Sequence, residues 1–142
     1  MDWNIRNLFA AVAIAAGHNL EADSFDDRLT LQRGCYLLNS QGYGPRFRFD
    51  MFVHGPYSSS LTDEFLRIGD IYFRDTNISL VEIDNLKDIL SKGLHYAEAY
   101  TTLMMVRDNS PNAPYSGIID RAIELKPDLK NEIMEASGSL LE

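Results

Sequence analysis

Between Phe47 and Phe65 the spacing of apolar residues changes period. Phe47, Phe49, Met51 and Val53 alternate with Arg46, Arg48, Asp50, Phe52 and His54, the two-residue period of a strand with one buried and one polar side. Leu61, Phe65 and Ile68 then recur at helical spacing. The sequence His54-Gly55-Pro56-Tyr57 stands between the two patterns, and its Gly-Pro pair is expected to end the strand. Ser60 followed three residues later by Asp63 fits a capping box, so the serines here are expected to start a helix rather than to carry chemistry. The chain must therefore build a rigid strand-to-helix corner into whatever surrounds it.

What surrounds it is helical in pattern. An Ala-rich helix is expected over residues 3–16, stopped at Gly17. A second starts near Asp26 or Asp27 and ends before Gly42. Its apolar residues lie on two sides, with Leu31, Cys35 and Leu38 opposite Leu29 and Tyr36, so it should be sandwiched between neighbours. Gly34 in its middle costs about 1 kcal/mol against Ala, which the close approach of another backbone would offset. Residues 71–84 read as one or two short strands around Asp75-Thr76-Asn77, pairing with the 47–53 strand. Asp84 is expected to cap a further helix, and Gly93 to bend it before a segment that is apolar nearly all round. Tyr115 to Ile123 give another amphipathic helix, and Pro127 opens a last one. The expectation is one domain over residues 1–142, a mainly α helical bundle with a small antiparallel sheet (α+β).

Charge limits the partners. The net charge of −8 repels phosphate backbones unless basic residues are segregated. From Arg28 to Arg74 there are six arginines (28, 33, 46, 48, 67 and 74), no lysine and four acids. Guanidinium groups bind carboxylates bidentately, so these arginines pair either with the chain's own acids or with those of a protein partner. The single cysteine, Cys35, excludes an internal disulfide and suits a reducing cytosol. The first apolar stretch has one basic residue, Arg6, ahead of it and reads as a core helix rather than a signal peptide. No run reaches the ~18 apolar residues of a membrane span. A soluble, cytoplasmic protein is expected.

Catalytic and metal patterns are sparse. His54 beside Ser58, Ser59 and Ser60 offers two parts of a hydrolase triad, but no G-x-S-x-G elbow is present. His18, His54 and His95 have no metal-ligand spacing, no C-x-x-C occurs, and no Gly-rich loop carries the lysine of a phosphate site. Neither metal nor cofactor is expected. Tyr43, Phe52 and Tyr57 gather instead around the strand and corner, and aromatics beside arginine are the residue types that anchor protein interfaces.

"LTLQRGCYLL", the aromatic strand and "HGPYSSSL" together resemble the Panacea-domain group, which includes SocA-like antitoxins and the YwgA-like proteins. Leu31, Gln32, Arg33, Tyr36, Leu37 and Leu38 match the helix of that group, and Gly55, Pro56, Tyr57, Ser58 and Leu61 match its corner. The firm match spans residues 28–66 and is closest to the YwgA-like branch. Gly34-Cys35 replaces the usual bulky aliphatics, and the tryptophan common before Gly-Pro is absent. The resemblance implies a helical domain that acts by contact, often on a toxin encoded beside it, and brings no catalytic residues.

The leading expectation is a non-enzymatic, antitoxin-like interaction domain, with Arg46, Arg48, Phe52, His54 and Tyr57 as contacts and Gly55, Pro56, Ser60 and Asp63 as the structural corner. Self-association is compatible with the many apolar stripes. The alternative is a winged-helix-like nucleic-acid-binding regulator using a hairpin near residues 71–82, against which the net charge and the missing lysines weigh. The third reading is a hydrolase using His54.

Overall fold

Asn4 starts the first helix. Its side-chain oxygen accepts from the Asn7 backbone N–H at 2.8 Å, while the Asn7 side chain accepts from the Asn4 N–H at 3.1 Å, a reciprocal cap. Helix α1, Ile5–Ala16, closes on Gly17 at φ +80°, as its sequence predicts. The computed structural model describes residues 3–72 and 83–141.

Helix α2, Phe25–Ser40, begins one residue before the expected start, because Ser24 supplies the cap, accepting from the Asp27 N–H. Every residue from Thr30 to Asn39 is buried, so the two-sided reading holds. A Cβ on Gly34 would lie 2.5 Å from Val12 Cγ1. The missing side chain thus admits α1 closely, through the Val12 side chain rather than through backbone.

The expected eight-residue strand is shorter. Strand β1, Asp50–Phe52, pairs antiparallel with β2, Gly55–Tyr57, in the register Asp50 to Tyr57 and Phe52 to Gly55. Gly55-Pro56 therefore does not end the β structure but forms its return strand. A two-stranded ribbon has only edge strands, where the missing proline N–H is tolerated. Phe47, Phe49 and Met51 pack against the core as their alternation predicts, but Val53 sits at the turn and is 77% exposed.

Helix α3, Ser59–Ile68, follows, burying Leu61 and Phe65. Of residues 71–84, those from 73 to 82, with Arg74 and the expected hairpin, lie outside the described residues. Ile71 forms an antiparallel bridge with Leu20 and not with the 47–53 segment. Helix α4, Asp84–Ser91, has Ile83 at its N-cap and no side-chain cap, so Asp84 is not the cap but lies inside the first turn. There its charge favours the positive end of the helix dipole. Gly93, at φ +100°, separates α4 from α5, Leu94–Asn109, giving two helices instead of one bent helix. Helix α6, Tyr115–Leu125, leads to a 3-10 turn, Pro127–Leu129, and to α7, Lys130–Leu140. Pro127 opens that turn rather than α7 itself.

Helix α5 is the axis of the molecule. It is buried from Tyr96 to Val106 and packs against α2, α4, α6, α7 and β2. All seven α-helices of the described residues contribute to one continuous apolar cluster. The fold is mainly α with a small antiparallel sheet, as the sequence predicts. No helix among the described residues is long and apolar enough to cross a membrane.

Candidate functional site

The corner after β1 is held from below by two adjacent residues of α2. Gln32 accepts from the Ser58 N–H at 2.8 Å and donates to the Ser58 carbonyl at 2.9 Å, as a neighbouring strand would. Its amide also donates to Thr62 Oγ1, whose hydroxyl donates to the Tyr57 hydroxyl. Arg33, only 2% exposed, donates to the carbonyls of His54 and Leu94, both at 3.0 Å, and to Glu98 Oε1 at 3.2 Å. The helix and corner residues that carry the sequence resemblance are thus bonded to one another.

Glu98 joins a second cation to this set. Lys126, after α6, approaches Glu98 Oε2 at 3.4 Å and donates to the carbonyls of Phe52 and Val53. Burial lowers the proton affinity of Arg33, which the charges of Glu98 and Asp26 oppose. An arginine keeps its charge under such conditions, so the network holds two cations around one carboxylate. Removing one member of such a buried set typically costs about 3–5 kcal/mol, because its partners stay charged and unpaired. The carbonyls of all three tip residues, Phe52, Val53 and His54, are fixed by this network.

Neither Val53 nor His54 has positive φ, which excludes the mirror-image turns common in two-residue hairpins. The positive value falls on Gly55, at +101°. A Cβ there would meet Glu98 and Thr101 only at 3.6 Å, so backbone strain rather than space requires the glycine.

Above the braced backbone lies a groove of about 250 Å³, lined by Phe25, Leu29, Phe52, Val53, Pro56 and Tyr57 together with His54. The Phe25 ring meets His54 edge-on at 5.3 Å, and Phe52 meets Tyr57 in the same way at 5.3 Å. Phe25 and Phe52 are about half exposed, at 51% and 53%.

Of the expected contact residues, Phe52, His54 and Tyr57 share this groove. Arg46 and Arg48 do not: both are exposed, and Arg46 lines a separate cavity beside Tyr36 and Asp108. The expected cap is also displaced. Ser58, not Ser60, is the N-cap of α3, accepting from the Leu61 N–H at 3.4 Å. Ser60 is within the first turn, bonded to Ser58 Oγ, and the exposed Asp63 makes no reciprocal cap. The reason is that Gln32 fixes the Ser58 backbone in an extended conformation, two residues earlier than the apolar pattern suggests. No serine hydroxyl bonds to His54 among the described residues, so the two parts of the hydrolase reading are not assembled. No group of three or more His, Cys, Asp or Glu among the described residues is placed to hold a metal ion.

Sequence reasoning missed Glu98, Lys126 and the groove wall Phe25. A signal for Glu98 was present, since a charge inside a helix that is apolar all round must be paired. No family model, curated protein or solved structure matches the chain.

Proposed function

We propose that this protein is a non-enzymatic interaction domain of the antitoxin-like kind, and that the hairpin groove seats an apolar side chain of a partner protein. The carrying observation is the combination at the tip of exposed Phe52 and Val53 with carbonyls already bonded by Arg33 and Lys126. An apolar surface whose polar backbone is satisfied loses little on desolvation and is held in shape before contact. Aromatic anchors in such grooves carry much of the energy of protein interfaces. The resemblance of residues 28–66 to antitoxin-like domains supports a toxin encoded by a neighbouring gene as that partner. The arginine distribution supports the nucleic-acid reading less, because Arg33 is buried against Glu98 and Arg67 is paired with Glu64.

Co-expression with the neighbouring gene's product tests the reading. The two proteins should copurify, and growth inhibited by the partner should be restored. Phe52→Ala, at an exposed position, should leave the fold intact and weaken binding by about thirtyfold or more, the scale of an interface anchor. Failure of both copurification and growth rescue would end the proposal.

A further inference from the structure

Arg46, like Arg6 and Arg48, is an exposed arginine that neither the fold nor the groove accounts for, but it alone of the three lines a cavity among the described residues. Its exposed side chain forms no hydrogen bond or ion pair among the described residues. It lines a cavity of about 390 Å³ between the end of α2, the start of α4 and the second half of α5. A second arginine, Arg107, lines the same cavity. The one acid there, Asp108, is already engaged on both oxygens: Oδ2 accepts from the Tyr36 hydroxyl at 3.2 Å, and Oδ1 lies 3.6 Å from Arg107 Nε. The cavity therefore has an excess of cationic N–H donors in a protein of net charge −8. A planar fork of donors matches a carboxylate, which can accept two parallel bonds.

The surroundings say what carries the carboxylate. A depression of about 320 Å³ shares Ser40, Arg46 and Asp108 with this cavity; Phe47, Phe49, Met51 and Met105 line it, together with Asn39, Asn109 and a second acid, the exposed Asp50. An acid on an aromatic or aliphatic body can place its charge between Arg46 and Arg107 and its body against these side chains. We propose that this pair of cavities binds a carboxylate carried on a non-polar body. Such a group occurs at the end of a polypeptide with an apolar last residue and in free small carboxylic acids. The site is separate from the hairpin groove and does not depend on the function proposed for it.

The test follows the side-chain Nε–Hε resonances of Arg46 and Arg107 in nitrogen-15-labelled protein at about 50 mM salt, where exposed charges are only partly screened. Three probes are titrated: 3-phenylpropionate, an acetylated Ala-Ala-Phe peptide with a free C-terminus, and the same peptide as its amide. Both acids should give saturable shifts with dissociation constants of about 1 mM or below, and the amide none. R46Q should weaken acid binding about tenfold or more, as loss of a charge-assisted bond does, while R48Q leaves it unchanged. Circular dichroism checks that both variants remain folded. A peptide acid binding tenfold tighter than 3-phenylpropionate assigns the site to chain ends, and the reverse order assigns it to small acids. Absence of saturation by about 10 mM, equal binding of the amide, or equal weakening by R48Q would overturn the proposal.

Discussion

Two neighbours in sequence, Gln32 and Arg33, act on opposite ends of one corner. Gln32 fixes Ser58 at the helix start, and Arg33 fixes His54 at the hairpin turn. Consecutive helical residues diverge by about 100° around the axis, which lets one turn of α2 reach both places. Because Gln32 holds the Ser58 backbone extended, the hydroxyl of Ser58 and not that of Ser60 meets the free N–H of Leu61. Ser58→Ala should therefore lower stability by about 1 kcal/mol, the usual loss of an N-cap. Ser60→Ala, on the exposed face of the first turn, should stay within about 0.5 kcal/mol of the parent. Urea melts with an unchanged slope decide between them. If Ser60→Ala lost as much as Ser58→Ala, the cap assignment would be wrong.

At the scale of elements, the contact between α1 and α2 rests on a missing side chain. Helix propensity alone predicts that Gly34→Ala stabilises α2 by about 1 kcal/mol. The 2.5 Å approach of Val12 Cγ1 to the position of the new Cβ reverses that sign. Overpacking of this kind typically costs about 1–3 kcal/mol. Val12→Ala should be destabilising in the parent, as a cavity at a fully buried site, yet should recover part of the loss in the Gly34→Ala background. Strictly additive thermal or urea stabilities of the single and double variants would reject this coupling. Helix α1, the two-sided burial of α2 and the apolar circumference of α5 were legible in the sequence, because each follows from apolar spacing over many residues. The helical cost of Gly34 pointed to a close neighbour, but to backbone where the structure has the Val12 side chain. The ends of β1 were not legible. Alternation continues from Phe47 to Val53, but the chain turns at Val53 because Lys126 and Arg33, distant in sequence, hold the tip carbonyls. Arg46 and Phe52 alternate on one face in sequence, yet the turn and the short pairing leave them in different cavities.

For the molecule as a whole, the single core that surrounds α5 and α2 encloses groups whose ionisation it opposes. Burial raises the pKa of the Cys35 thiol well above its ordinary value. The Tyr36 phenol is raised by burial and then by the charge and hydrogen bond of Asp108, with Arg107 opposing. Burial, with Tyr96 next, also raises Tyr100, while Arg107 and an Asn85 hydrogen bond oppose the shift. Unfolding returns the thiol to about 8.5 and the phenols to about 10. Between those values and the higher folded ones, the unfolded chain has released protons that the folded chain still holds. Stability from these groups is therefore fully present below about pH 8 and falls as pH rises past the unfolded values. Each group adds a slope of about 1.4 kcal/mol per pH unit until its own folded pKa is reached. Urea midpoints from about pH 7 to about pH 11 should be level at first, decline from the thiol range, and steepen in the phenol range. Cys35→Ala destabilises at every pH by leaving space in the core, but it should remove the first part of the decline. Tyr36→Phe should reduce the second part in the same way. The slope is the informative quantity, since a purely structural effect of either substitution lowers the whole curve without changing its shape. A Cys35→Ala protein that kept the full decline between about pH 8.5 and about pH 10 would show that the thiol ionises as readily in the folded core as outside it.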